Sequence, residues 1–446
     1  MDATRITEAL SRASDTRTVV IGTGTLPQVS QLLRQHFGDQ PAVVVADENT
    51  FAVAGHAVNE YLRAGGGVFA NPIIFPATPT LYADFENVLK LEQQLRDLQA
   101  TPVVVGSGTL NDITKLAAHR VGRQYLCVGT AASMDGYTSF GAAITRDGFK
   151  QTMACPAPRV VLADLDVLAS APAHMNATGY GDLLGKITAG ADWLLADALH
   201  IEPIDQRAWL LVQDSLRQWT GRPDLLRGGD RQTIAFLFEG LIMTGIAMQI
   251  SISSRPASGS EHRFSHLWEM QALGHGHAVI PHGFKVGIGT LAAAALYERV
   301  LARDLTSIDI ERCCATWPSS EQIEQSVLQS HDIPQLATNA AQETLAKYIT
   351  PEQLRQRLKT IQQHWPILRE KLIQQLLPTP QLQDMLATAG CPTSLAAIGL
   401  DKAKLRESYW LARTIRNRYT ILDLVYEAGI LDDCVNELFA PGGYWA

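Results

Sequence analysis

The first 170 residues alternate short β-rich runs with helical stretches, and after Pro172 the alternation stops. "TRTVVIGTG", "PAVVVAD", "TPVVVGSG" and "QYLCVGTAAS" are apolar runs that end in turn residues, each followed by a helical or loop-forming segment. "GGVFANPIIFP" reads as extended, and "PRVVLADLDVL" (158–168) as the run that closes the region. Apolar strands with helices between them specify a mostly parallel sheet covered on both faces, because a strand buried on both sides has no polar side to alternate. "TSFGAAITRDGFKQTM" (138–153) reads instead as a hairpin with Arg146-Asp147-Gly148 at its turn. Beyond 168–172 the chain is rich in leucine, alanine and helical spacing almost to its end. The expectation is an α/β domain over 1–170 and an all-α domain over 171–446. Glutamine-rich amphipathic helices over 300–385 carry no visible chemistry.

A chain of 446 residues is too long for one core. With 46% hydrophobic and 18% charged residues it has the composition of a soluble globular protein. A net charge of −8 argues against nucleic acid or an anionic membrane surface as the main partner, but leaves room for a small phosphorylated ligand. The six cysteines form no C-x-x-C pair, and "MDATRITEAL" carries acid where a signal peptide needs a basic region; reduced thiols in a cytoplasmic protein are expected. "IAFLFEGLIMTGIAMQISI" (234–252) is long enough to span a bilayer, but Glu239 lies inside it, so a buried helix is the better reading and no membrane span is expected.

Several segments carry possible chemistry. In "VVVGSGTLNDITK" (103–115) a strand enters a Gly-x-Gly turn and then a helix, so N–H groups at the helix start can face a phosphate. The pattern falls short of G-x-G-x-x-G. "IGTG" (21–24) reads as a structural turn. Asp47, at the end of "VVVAD", either accepts bonds from a ribose or caps the next helix. "GTAASMDGYTS" (129–139) gathers small and hydroxylated residues around Asp135, as a nucleotide- or polyol-lining loop does, or as an ordinary polar turn does. "GYGDLLGKITAGADW" (179–193) sets Asp182 and Lys186 one turn apart at what reads as a helix start.

Five of the twelve histidines fall between 262 and 282. In "SGSEHRFSHLWEM", His262 and His266 are four apart and share one helical face. Glu261 precedes the first histidine, so the H-E-x-x-H protease signature is absent. "LGHGHAVIPHGFKVGIGT" (273–290) adds His275, His277 and His282. Histidines with an aspartate and no cysteine suit one divalent Zn, Fe or Ni ion with an open coordination position.

At these residues the sequence resembles a known family. "GSGTLNDITK", "TAASMDGYTS", "ADLDVL", "GYGDLLGKITAGADW", "SGSEHRFSHLWE" and "HGFKVGIGT", in that order, are similar to sn-glycerol-1-phosphate dehydrogenase. That family belongs with glycerol dehydrogenase, iron-containing alcohol dehydrogenases and dehydroquinate synthase. "RTIRNRYTILDLVYEAGIL" (414–431) resembles its closing helices. The resemblance implies the dehydroquinate synthase-like fold, an active site in a cleft between two domains, and reduction of dihydroxyacetone phosphate by NADH or NADPH with one divalent metal. Carried over residue by residue, it implies Asp182, His262 and His282 as metal ligands; the chain departs from the family by extra residues in "GHGHAVIP", which makes His275 and His277 competitors to His282. It implies Asp135, His266 and Asp182 facing the substrate. Asp47, Gly108, Thr109, Leu110, Asn111, Asp112, Thr130, Ala131, Ala132, Ser133 and Ser139 fall at its nucleotide-contacting positions. A homo-oligomer, dimer or larger, is expected with it.

Two rivals remain at this level. One is a polyol or alcohol dehydrogenase of the same group with an unphosphorylated substrate; phosphate preference needs cations, for which Lys150, Arg159, Lys186 and Lys285 are candidates. The other is a catalytically inactive nucleotide-binding regulator.

Overall fold

The structure, a computed structural model, describes residues 3–146, 149–271 and 280–446. The chain divides into two compact units, one of Met1–Leu183 with Gln206–Ala257 and the other of Leu184–Asp205 with Ser258–Ala446.

The first unit is built on a six-stranded parallel sheet in the order β1-β8-β5-β4-β2-β3. Its strands are β1 (Thr18–Gly22), β2 (Ala42–Asp47), β3 (Ile73–Phe75), β4 (Thr101–Gly106), β5 (Leu126–Gly129) and β8 (Val160–Asp164). Val43 and Val45 point to one face of β2 and Val44 and Ala46 to the other, and all four are buried. Val44, Val103, Val105, Val128 and Leu162 share one core cluster with Leu32, Leu33 and Val58 from covering helices. Each such side chain contributes on the order of 1.5–3 kcal/mol by leaving water. Strands β6 (Ala142–Arg146) and β7 (Phe149–Met153) form the expected antiparallel hairpin, paired from Ala142–Met153 to Arg146–Phe149. Asp147 and Gly148 of its expected turn lie outside the described residues.

The neighbouring strands β4 and β5 end in register at Gly106 and Gly129, so the loops that follow leave the same edge of the sheet. At the end of β8 the Asp164 carboxylate accepts N–H bonds from Thr25 (2.6 Å) and Leu26 (3.2 Å), which fixes the "IGTG" turn as a structural joint.

Helix Arg231–Ser251, the long apolar run, also belongs to this unit, where it packs on helix Gln206–Thr220. It is long and apolar enough to cross a membrane, but 89% of its apolar window is buried inside the protein. Its polar residues are paired: Glu239 meets Arg5 at 3.2 Å, and Gln249 bonds to Asp15, Thr16 and Thr138.

The second unit is helical. Helix Lys186–Ala198 packs on helices Ser260–Met270 and His282–Leu301. Asp192 is its hub: one carboxylate oxygen accepts from Ser260 N–H (2.6 Å), the other from the Tyr297 hydroxyl and Ile421 N–H (both 2.7 Å). The glutamine-rich region forms helices Ser320–Ser330, Pro334–Ala346 and Pro351–Gln375, the last started by a Thr350–Gln353 capping box.

Candidate active site

The carboxyl edge of the sheet holds the loops singled out in the sequence. Ser107 precedes helix Gly108–Arg120 and makes no side-chain cap bond, so no side chain of its own occupies the N–H groups of that first turn. Asp47 caps its own helix: its carboxylate accepts from Thr50 N–H at 2.7 Å, and Thr50 Oγ1 accepts from Asp47 N–H at 3.1 Å. Of the two readings left open for Asp47, the cap is therefore present, and it engages Oδ1 only. Asn111 is buried between the Tyr125 hydroxyl (3.0 Å) and the Gly136 carbonyl (3.3 Å). Asp112 accepts from Ala143 N–H at 3.2 Å; burial raises its pKa above the usual carboxylate range, against the opposing charge of Lys115.

The loop over 130–139 is tightly bonded. Thr130 N–H donates to Gly106, Ala132 N–H to Asn176, and the Tyr137 hydroxyl to the Ala131 carbonyl. Ser133 and Ser139 are nearly buried, and Ser139 Oγ donates to Gly136 at 3.2 Å. The pin for this loop escaped sequence reading. Lys115, fully buried, donates to the carbonyls of Gly136 (2.8 Å), Ser139 (3.0 Å) and Gly141 (3.0 Å). A lysine in "LNDITKLAAH" reads as a solvated helix face, and nothing local marks it otherwise. Leu110 and Thr109 complete the first turn of the same helix, Leu110 packing under Gly106.

Asp182 requires a correction. It does not begin a helix; it lies in the last turn of helix Ala173–Leu184, and Lys186 opens the next one after Gly185. Close packing explains Gly179 within this helix: a Cβ there would sit 1.9 Å from the Ala132 carbonyl oxygen. That approach brings the 130–139 loop to the helix, and Asp182 accepts from Asp135 N–H at 3.1 Å. Asp182 itself is fully buried.

His262, His266 and His282 form a cluster with ring centroids 5.4–5.9 Å apart. Glu261 is buried and grips the start of their helix: Oε1 meets His262 Nδ1 (2.8 Å) and Gly259 N–H (2.6 Å), and Oε2 accepts from the Thr188 hydroxyl (2.7 Å). Burial pushes the Glu261 pKa up, but the His262, Thr188 and Gly259 hydrogen bonds bring it below the usual range. An ionised carboxylate only accepts, so Nδ1 of His262 donates to it and carries a proton. His282 Nδ1 meets Glu269 Oε1 at 2.9 Å, which assigns the same tautomer. One ligand atom each from Asp182, His262 and His282 lies within 4.8 Å of the others. Two imidazoles turned by carboxylates and one buried aspartate make a donor set that fits a single divalent ion of the Zn type. His275 and His277 lie outside the described residues.

Of the cations considered for phosphate, Lys285 lies 2.9 Å from Glu269 and Lys186 is fully buried; Lys150 is on β7 and Arg159 immediately precedes β8. Helix His282–Leu301 lies against the histidine helix through Gly289, where a Cβ would come 2.3 Å from the Glu261 carbonyl oxygen. Gly289→Ala is expected to force the two helices apart and to lower stability by about 1–3 kcal/mol. The check is thermal unfolding alongside zinc affinity, both of which should fall.

The fold is iron-containing alcohol dehydrogenase-like. That family matches residues 20–172. A probable glycerol dehydrogenase from Sinorhizobium meliloti 1021 superposes with a TM-score of 0.60 at 15% identity, covering 94% of this chain and 98% of the other. The NADH-dependent butanol dehydrogenase A of Thermotoga maritima gives 0.58 at 14% identity, covering 94% and 97%. The glycerol-1-phosphate dehydrogenase [NAD(P)+] of Halalkalibacterium halodurans is 39% identical over 57% of this chain and 64% of its own length, just under two thirds of that relative. Its Bacillus velezensis counterpart is 35% identical over 64% and 73%, and that of Geobacillus stearothermophilus 29% identical over 92% of both chains. The chain belongs to the glycerol-1-phosphate dehydrogenase family.

Proposed function

We propose that the protein reduces dihydroxyacetone phosphate with NADH or NADPH to sn-glycerol 1-phosphate, reversibly and with one divalent metal. The observation that carries this reading is the grouping of Asp182, His262 and His282 in a chain of this family. These three residues would hold the ion through a carboxylate oxygen and two imidazole nitrogens. The chemistry such an ion supplies is Lewis-acid polarisation of a carbonyl, and the nicotinamide supplies the hydride.

The chain's own residues position and move protons. The first turn of helix Gly108–Arg120, from Gly108 through Thr109, Leu110 and Asn111 to Asp112, would receive the cofactor pyrophosphate on its uncapped N–H groups. Thr130, Ala131, Ala132, Ser133 and Ser139 would line the nucleotide, and Asp47 Oδ2, which its cap leaves free, would accept from a ribose hydroxyl. Asp135 would bind a substrate hydroxyl beside Asp182. His266 is one-quarter exposed (26%). With Nδ1 turned toward Glu269, its Nε2 would take the hydroxyl proton during oxidation and return it during reduction. A cytoplasmic location and a homo-oligomeric state belong to the same reading; all six cysteines are free and buried, as suits a reducing compartment.

The test is NADH oxidation by chelated and metal-restored protein, with Zn, Ni and Fe added singly. Turnover with dihydroxyacetone phosphate that returns with metal, and at least tenfold less with dihydroxyacetone, is the expected result. Activity on the unphosphorylated ketone alone would make it a polyol dehydrogenase; nucleotide binding without turnover would make it a regulator.

A further inference from the structure

A single buried carboxylate, Glu269, joins three side chains of the histidine cluster. Glu269 sits three residues after His266 and seven after His262, so helical geometry puts all three on one face. Its Oε1 receives His282 Nδ1 at 2.9 Å and Lys285 Nζ at 2.9 Å, and its Oε2 faces His266 Nδ1 at 3.4 Å. His282 opens the next helix and Lys285 lies one turn on, so the carboxylate bonds two successive turns on one face of that helix to its own. The Glu269 side chain is only 7% exposed.

We propose that Glu269 is the positioning residue of this centre, setting the ring orientation and tautomer of His282 and His266 together. The inference rests on the proposed reading of His282 as a ligand and His266 as substrate-facing. A histidine at a helix start rotates freely about its side-chain bonds unless its second nitrogen is held. An anionic acceptor at Nδ1 fixes the ring, leaves Nε2 as the donor atom and raises its basicity. Lys285, buried beside the same oxygen, supplies the counter-charge that lets a nearly buried carboxylate stay ionised. Its proximity to Glu269 gives this lysine a role that the phosphate reading does not require. Because one carboxylate holds both rings, its loss should disturb metal affinity and substrate turnover together.

The experiment uses full-length protein stripped of metal, with zinc affinity measured by competition against a chromogenic chelator, and kcat and KM measured with dihydroxyacetone phosphate. Glu269→Gln keeps the side chain's shape but cannot accept from all three donors. Its zinc affinity should fall about 10–100-fold, with a drop in kcat, while Glu269→Asp recovers part of both. Glu269→Gln/Lys285→Gln removes both charges of the pair and separates positioning from stability. If its melting temperature returns to the wild-type value and the zinc affinity stays low, the role is positioning. Wild-type zinc affinity and kcat in Glu269→Gln would overturn the inference, as would recovery of affinity in the double variant. Wild-type protein that binds no zinc and shows no metal-restored turnover would instead overturn the proposed function.

Discussion

His262→Ala should leave a folded protein that no longer holds one zinc per chain, with turnover of dihydroxyacetone phosphate reduced about 10³-fold or more. Three decades correspond to roughly 4 kcal/mol of transition-state stabilisation, the scale expected when Lewis-acid help to a carbonyl is lost. His262 is 5% exposed, its Nδ1 is held by Glu261, and it offers one ligand atom to a group with Asp182 and His282. Asp182→Asn should behave alike. It keeps an oxygen that can accept from Asp135 N–H but loses the charge a divalent ion favours. Metal analysis of purified variants together with steady-state kinetics gives the check. Unchanged metal content and turnover in His262→Ala would remove the proposed site.

The second large effect concerns stability. Asp423 is buried and accepts from Lys347 Nζ at 2.6 Å, Arg263 at 3.0 Å and Thr420 N–H at 2.9 Å. Arg263 lies beside His262, so this network anchors the histidine helix to the closing helices of its own unit. Asp423→Ala leaves two buried cations without their carboxylate and should cost about 3–5 kcal/mol. A proton dependence goes with it. Burial pushes the Asp423 pKa up, but Lys347, Arg263 and Arg413 outweigh it and hold it down at about 2, against 3.8 for the free group. Since the folded value is the lower one, the stabilisation is complete above the unfolded pKa and is lost as pH falls through about 2. The proton-linked part is roughly 2 kcal/mol. Denaturant unfolding of wild type and variant should therefore show a gap that narrows between about pH 4 and pH 2. A gap independent of pH across that range would show that the carboxylate charge is not what stabilises the network.

Much of the first unit was legible because of how parallel strands are buried. A strand covered on both faces must be apolar throughout, so "VVVAD" and "VVVGSG" declare themselves, and the glycine where a strand ends marks the loop. The pair His262 and His266 was legible because i,i+4 spacing fixes which residues share a face. Lys115, Asp192, Glu261 and Glu269 were not, because charged residues at helical spacing look like a solvated surface until three-dimensional packing buries them. Asp182 reads as part of a helix start but ends a helix, because Gly179 sits where a Cβ would come 1.9 Å from the Ala132 carbonyl oxygen, a packing demand no local pattern shows.

The sequence by itself determined the strands, the hairpin and the histidine-bearing helix, since each depends on period, turn residues or residue type within one local stretch. Tertiary structure alone decided that helices Gln206–Thr220 and Arg231–Ser251 cluster with the sheet, that Lys115 pins the 136–141 loop, and that one glutamate serves both His266 and His282. Those outcomes depend on which distant groups meet when water is excluded. A buried charge is stable only beside its partner, and the partner is chosen by packing rather than by distance along the chain.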